Sequence, residues 1–363
     1  MWVKSSVYLS LLLSLITPDV SAGQDVYEVS ALSPEKAFET GRLLRAQYKN
    51  LESRPYLKHS ADNGNSEASF LYAMELANYN TTIRTPPEAR EYLLKAARLG
   101  SRRAMYQLYT NAHWLKHRDV MYWKSQYYDS LIRLGSTNPS QATYELARYF
   151  KNSNQEMYIY YLDKAVGFNH PQALMDKAAL IQQGEGVYFM PGERETEARK
   201  MYLEAAKTRY IPAMRHYIDI LENKGDFQNV YKWRLSALEE GDIVSLAAVT
   251  KILLGKGASY RFVARDDIKA KAYLDLYLTA AGSERMASVY SMMEIEEETL
   301  RSQMSAEDEY QVKKLVDTYN NMTFYNHDIF GIINDKSNIN LWWCIFWNGV
   351  LAFMKIYIYI VLI

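Results

Sequence analysis

Apolar residues recur along this chain with the three-and-four spacing of a buried helix face, and the segments that carry them repeat. Tyr56-Leu57 is followed by Ala61, Gly64 and Ala68. Tyr92-Leu93 is followed by Ala97, Gly100 and Ala104 at the same offsets. Tyr161-Leu162 is followed by Val166, Asn169 and Ala173, again in register. Looser copies begin at Tyr127 (Ile132, Gly135), Met201 (Ala206, Arg209, Ala213), Trp233 (Leu238, Gly241) and Leu274 (Thr279, Gly282). Successive starts lie 32 to 41 residues apart. A fixed period of this length is the mark of stacked supersecondary units.

Each offset has a physical reason. The aromatic and the Leu open a buried stripe, and the small residue at +5 lets a neighbouring helix approach. Gly at +8 can take positive φ and end the helix, and Asn169 is the next-best residue for that task. Ala at +12 already belongs to the following helix. Ser33-Pro34-Glu35, Thr85-Pro86-Pro87-Glu88 and Asn138-Pro139-Ser140-Gln141 read as capped helix starts with Pro in the first turn. The period accommodates two helices of roughly 12–15 residues, which are marginal alone in water. They persist by burying their apolar faces on neighbouring repeats, so stability is expected to be spread along an all-α array without one central core.

These residues resemble the Sel-one-like repeat, a relative of the tetratricopeptide repeat. Ala173-Leu174-Met175-Asp176-Lys177-Ala178-Ala179-Leu180-Ile181-Gln182-Gln183 leads into Gly184-Glu185-Gly186-Val187, which is similar to the family's Gly-x-Gly-Val loop. Glu197-Ala198-Arg199-Lys200-Met201-Tyr202-Leu203-Glu204-Ala205-Ala206 then matches the second helix. Gly255-Lys256-Gly257 and the stretch from Lys271 to Gly282 form a second match. Lys177 stands where the family has Leu and Arg209 where it has Gly, and residues 105 to 160 diverge most. The resemblance implies a right-handed α-solenoid of antiparallel helix pairs. With it come an N-terminal capping helix over 23–50, the repeat array over 51–303 and a C-terminal capping helix over 304–320; composition and local chemistry set apart a signal peptide over 1–22 and an atypical hydrophobic tail over 321–363.

The leader is expected from chemistry. Lys4 is followed by an apolar run from Val7 to Ile16, Pro18 breaks it, and Val20-Ser21-Ala22 supplies the small residues a signal peptidase reads, with cleavage before Gly23. The expected location is therefore the periplasm or another exported compartment. The tail is harder to place. Leu341–Ile363 is long and apolar enough to span a bilayer, and Trp342, Trp343 and Trp347 suit an interface, but Asn348 and Lys355 oppose it. A membrane anchor, a membrane-associated or buried apolar segment, and a tail appended by an altered reading frame all remain open.

Composition narrows the chemistry. Lys+Arg and Asp+Glu both number 42, so the basic excess of a nucleic-acid-binding protein is missing. Cys344 is the only cysteine, so neither an internal disulfide nor a Cys-based zinc site can form. His113 and His117 have zinc-pair spacing if they share a helix face, but no third ligand stands near them, and no metal or cofactor is expected. No Gly-x-Ser-x-Gly elbow or Walker loop occurs, and the Gly-x-Gly turns follow helices. Glu294, Glu296, Glu297 and Glu298 form an acidic run, either a solvated face or a site for a cation or basic partner. Asn80-Thr81-Thr82 is a glycosylation sequon.

No catalytic constellation emerges, so a non-enzymatic role is expected: holding another protein. Aromatics crowd the region from Tyr106 to Tyr161, and Tyr and Trp are favoured interface anchors. On the first helices Ala104, Leu108 and Ala112 read as packing positions. Tyr106, Thr110, His113, Tyr144 and Arg148 are then expected on the concave face, where a protein partner would dock. The resemblance implies a range of such roles. Exported members include immunity proteins that block phospholipase effectors of type VI secretion, with the effector as partner. Periplasmic scaffolds, secretory-lumen quality-control adaptors and hydrolases are the alternatives.

Overall fold

A computed structural model describes residues 29–78 and 85–330. The leader, the sequon, Cys344 and the apolar tail from 331 onward lie outside the described residues. Among those described, all regular structure is helical: α1 (Pro34–Ala46), α2 (Asn50–Asp62), α3 (Ser66–Asn78), α4 (Pro87–Arg98), α5 (Arg102–Asn111), α6 (His117–Gly135), α7 (Pro139–Phe150), α8 (Gln155–Gly167), α9 (Pro171–Gln182), α10 (Glu193–Lys207), α11 (Ile211–Asn223), α12 (Phe227–Glu239), α13 (Ile243–Leu253), α14 (Asp267–Ala280), α15 (Ala287–Arg301), α16 (Ala306–Asp317) and the short α17 (His327–Phe330). Each helix packs on the next from α1 through α15, and α16 lies against α14. Short connections between packed neighbours make the pairs antiparallel, and the architecture is an all-α solenoid.

The repeat offsets account for much of the core. All seven repeat starts fall on even-numbered helices. Leu57, Ala61, Leu93, Ala97, Leu162, Ala206, Leu238 and Leu274 are buried. The residue at +8 turns left-handed in five repeats: Gly64, Gly100 and Gly241, and also Asn169 (φ 57°) and Arg209 (φ 62°) without glycine's freedom. The repeats from Tyr127 and Leu274 depart. Helix α6 continues through Gly135, so Leu131 takes the buried place and Ile132 is exposed. Gly282 is not left-handed either; its role is a close contact described below.

Caps follow the sequence with one correction. Ser33 accepts from the Lys36 amide (3.2 Å) and Asn138 from that of Gln141 (3.1 Å). Thr85 does not cap α4, whose N-cap is Pro86, and Glu88 instead accepts from the Tyr72 hydroxyl (3.2 Å). Lys177 pairs with Asp163 (2.8 Å), and Arg209 pairs with Glu240. The acidic run is partly consumed, because Glu297 meets Lys271 (3.1 Å) and Glu296 meets Lys256. Among the described residues no helix is long and apolar enough to cross a membrane.

The larger correction concerns the ends. Five apolar clusters are spread along the array, as a solenoid requires. One of them, however, joins Ala46 and Tyr48 from the start of the chain to Leu246, Tyr277 and Phe324 from its end. The Gly282 amide donates to the Gln47 carbonyl (2.6 Å), and the Asn326 amide to that of Ala46 (2.9 Å). Gln47 Nε2 donates to the Phe324 carbonyl (2.9 Å). Helix α17 sits between α1 and α11. The array closes on itself, so its first and last repeats stabilise each other and neighbour contacts alone do not describe it.

Candidate inner recognition strip

The first helices of successive pairs, α5, α7 and α9, carry one connected polar and aromatic strip. It is built on buried anchors: Ala104 and Leu108 on α5, Ala142 and Ala147 on α7, Ala173 and Ala178 on α9. Those anchors fix the helix rotations and turn the intervening residues to the strip.

Glu145 is its hub. Its carboxylate is buried and accepts from the Tyr127 hydroxyl (3.1 Å), Gln141 Nε2 (2.9 Å) and, at 3.4 Å, two nitrogens of Arg102. A buried carboxylate needs such partners to remain charged. Gln141 passes the connection to α9 through its Oε1, 3.0 Å from His170 Nε2. His170 also caps α9, its Nδ1 accepting from the Ala173 amide (3.3 Å). That cap requires a lone pair on Nδ1, so the proton sits on Nε2 and donates to Gln141. The His170 ring stacks on Tyr144, centroids 4.4 Å apart. The Tyr144 hydroxyl donates to Asp176 Oδ2 (3.0 Å), and Gln172 Nε2 donates to Asp176 Oδ1 (3.1 Å).

Arg148 completes the strip. Its guanidinium lies 4.6 Å from the centre of the Tyr106 ring, within cation–π range. Tyr106 in turn meets Tyr109 and Tyr127 edge-on at 5.1 and 5.3 Å. Burial pushes the Tyr127 and Tyr144 phenols well up, and carboxylates beside them add to this. These phenols are neutral donors, not nucleophiles. Both nitrogens of His170 are engaged. The strip offers fixed donors, flat aromatic faces and the guanidinia of Arg102 and Arg148.

Of the five residues expected to form a docking face, the structure brings Tyr106, Tyr144 and Arg148 into this strip. Tyr144, expected to point away from packing, is 4% exposed and serves as a structural link. Thr110 turns its hydroxyl back to the Tyr106 carbonyl (2.7 Å). His113 lies beyond the end of α5 and His117 opens α6, so the two histidines do not share a helix. Among the described residues no group of three metal-ligating side chains forms. The sequence reading missed Glu145, Gln141, His170 and Asp176. Two signals could have found them: the His170-Pro171 cap, and the Gln141/Glu145 and Gln172/Asp176 pairs spaced four apart on consecutive first helices. Elsewhere, an apolar hollow of about 310 Å³ between α6, α7 and α8 is lined by Leu131, Ile132, Tyr160 and Phe168.

The strip makes a pH prediction. Burial lowers the His170 pKa to about 4, with Glu145 opposing only in part. A lowered folded-state pKa gives stability that is complete above the unfolded value near 6.5. It is lost as pH falls toward 4, to a total of about 3 kcal/mol. Asp176, raised by burial, titrates in the opposite sense. The comparison is therefore with His170→Asn, which can still cap α9. Urea unfolding should show a flatter slope between pH 6.5 and 4 in that variant. Equal slopes would remove His170 as the source.

The fold and strip define a class: an all-α repeat solenoid whose first helices carry a connected polar and aromatic strip. No protein-family model matches the chain, and no curated protein does. Among solved structures it is similar to a protective antigen of uropathogenic Escherichia coli displaying an SLR fold (TM-score 0.38, 16% identity, 82% of this chain and 63% of that one). It is also similar to a Sel1 repeat protein from Oxalobacter formigenes (0.35, 19%, 81% and 90%) and to yeast Tom70 (0.39, 16%, 79% and 64%). This chain spans a little under two-thirds of the antigen and of Tom70.

Proposed function

We propose that this chain is an exported protein-binding solenoid that holds a partner protein against the inner strip and does not act as an enzyme. The observation that carries the reading is the Tyr106–Arg148 pair, an aromatic ring and a guanidinium held together within a cross-bonded polar strip. An Arg guanidinium and Tyr ring held in place cost little further entropy to bind, which is what an interface anchor needs. Export follows from the leader-like residues 1–22. The finer reading is an immunity protein whose partner is a phospholipase effector delivered by type VI secretion. Its support is the Sel-one-like resemblance together with the leader. A scaffold for an envelope complex is the alternative.

Capture from envelope extracts, quantified by mass spectrometry, separates these readings. Arg148→Ala should weaken capture of whatever the wild-type chain retains by about 2 kcal/mol, roughly thirtyfold. Because Arg148 also stacks on Tyr106 within the fold, capture is compared at a temperature well below the melting midpoint of either chain. Undiminished capture would retire the strip. The immunity reading further expects a lipase-like effector encoded beside the gene, lethal in the periplasm unless this chain is co-exported. Survival that does not depend on the chain would leave the scaffold reading.

A further inference from the structure

Residues 323–330 lie in a cleft at the closure and are held there as a bound peptide is held. Five of their main-chain groups are bonded to the cleft. The Tyr325 amide donates to the Gly241 carbonyl (3.1 Å), and the Ile243 amide to that of Tyr325 (3.2 Å). The Asn326 amide donates to the Ala46 carbonyl (2.9 Å). Gln47 Nε2 donates to the Phe324 carbonyl (2.9 Å), and Arg45 Nη1 to that of Ile329 (3.3 Å). Phe324 and Ile329 are buried, and Asn326 Nδ2 donates to the Tyr48 hydroxyl (2.8 Å). Main-chain bonds for affinity and side-chain pockets for selection are how extended segments are recognised.

The cleft is shaped for such a segment. Gly241 leaves room for a passing main chain, since a Cβ there would stand 2.5 Å from the Thr323 carbonyl oxygen. Arg215 of α11 is mostly buried, and its guanidinium donates to Asn326 Oδ1 (3.4 Å) and to Asp328. The cation belongs to the cleft and its acid to the segment. The tether is polar: Asp317, Thr318, Asn320 and Asn321 are exposed, and no regular structure joins α16 to Tyr325. The segment can therefore leave while α16 stays folded. Its fit is also incomplete. Asp242 Oδ1 and His327 Nε2 are buried without a hydrogen-bond partner among the described residues, a cost that another segment need not carry.

We propose that this cleft is a peptide-docking site that the chain fills with its own residues 323–330, and that a partner protein's extended segment of the same chemistry displaces them. That segment carries an aromatic residue, Asn two positions on, an acid two further and an aliphatic residue next to the acid. Because the chain's own segment also ties α1 to the last helices, the exchange loosens the closure. The site is separate from the inner strip and does not depend on it.

The probe is a fluorescein-tagged peptide with the sequence of residues 322–330, and anisotropy reads its uptake by the full chain. The wild-type chain should take it up weakly, because its tethered segment competes at high effective concentration. Phe324→Ala in the chain removes the competing segment's buried aromatic and should tighten uptake at least about tenfold. In that background Arg215→Ala should weaken uptake about tenfold, as should Asp328→Ala in the peptide, and the two together should cost little more than either. A second measurement keeps the wild-type chain: a saturating, isotope-labelled peptide should speed hydrogen exchange in the chain's own residues 323–330. Any of four results overturns the proposal: no uptake by a folded Phe324→Ala chain, equal uptake by both chains, additive losses from the Arg215 and Asp328 changes, or unchanged exchange in the wild-type chain. A concentration-dependent dimer that forms in place of peptide uptake would overturn it too, and would assign the cleft to a second copy of this chain.

Discussion

Glu75→Ala is expected to lower the unfolding free energy by about 3–5 kcal/mol, the cost of leaving a buried charge without its partner. Glu75 on α3 is fully buried. Its carboxylate pairs with Arg45 of α1, accepts from Asn50 Nδ2 of α2 (3.0 Å), and lies 3.4 Å from Arg285 Nη2 in the connection before α15. Arg45 Nη1 reaches onward to the Ile329 carbonyl in α17 (3.3 Å), and Arg285 Nε to Asn50 Oδ1 (3.0 Å). One carboxylate therefore ties three N-terminal helices to both C-terminal segments. Removing it takes the opposing charge from the Arg45 guanidinium, which is almost as buried. Because the network bridges the closure, the loss should appear at both ends of the chain. Hydrogen exchange should speed up in α1 and in the segment around Phe324 together, while α7 and α8 change less. Urea unfolding followed by exchange mass spectrometry reads both quantities. A change confined to α3, or smaller than about 1 kcal/mol, would show that the network is not what holds the ends together.

The array was legible in the sequence because its causes are local. A helix face, a small residue for close approach and a left-handed stop all leave marks within one period, and even Arg209, a departure from the family pattern, turns left-handed as its place in the period required. The closure was not legible, because its partners are far apart in the chain: Gln47 meets Phe324 and Gly282, and Glu75 meets Arg285. No periodicity connects such residues. Gly282 was expected at the +8 position as a helix stop. Its missing side chain serves closure instead, since an added Cβ would stand 2.7 Å from the Tyr48 carbonyl oxygen. The recognition strip was half legible. Tyr106 and Arg148 could be placed on one face by counting along helices. That Tyr144 would be buried by His170 and Asp176 depended on how α7 and α9 pack, which hydrophobic spacing within either helix does not determine.

Gly241→Ala should be the most costly of the glycine substitutions at the +8 positions, and the comparison that shows it is with Gly100→Ala. Both glycines have left-handed φ, 81° and 94°, so each alanine pays about 1–2 kcal/mol of backbone strain. At Gly100 nothing lies within 4 Å of the added Cβ. At Gly241 the Cβ would stand 2.5 Å from the Thr323 carbonyl oxygen, a backbone atom that can only move with its whole segment. That segment is held there by the Tyr325 amide donating to the Gly241 carbonyl (3.1 Å) and the Ile243 amide donating to Tyr325 (3.2 Å), and it buries Phe324. Displacing it exposes an aromatic worth about 2–3 kcal/mol of burial. The expected total for Gly241→Ala is about 3–5 kcal/mol, against about 1–2 for Gly100→Ala. The excess has a definite origin, so it can be removed. In a chain ending at Asn321 the Thr323 carbonyl is gone, and Gly241→Ala should cost no more than Gly100→Ala. If the excess survives that truncation, the glycine serves helix α13 and the preceding turn alone, and the docking of the C-terminal segment does not require it.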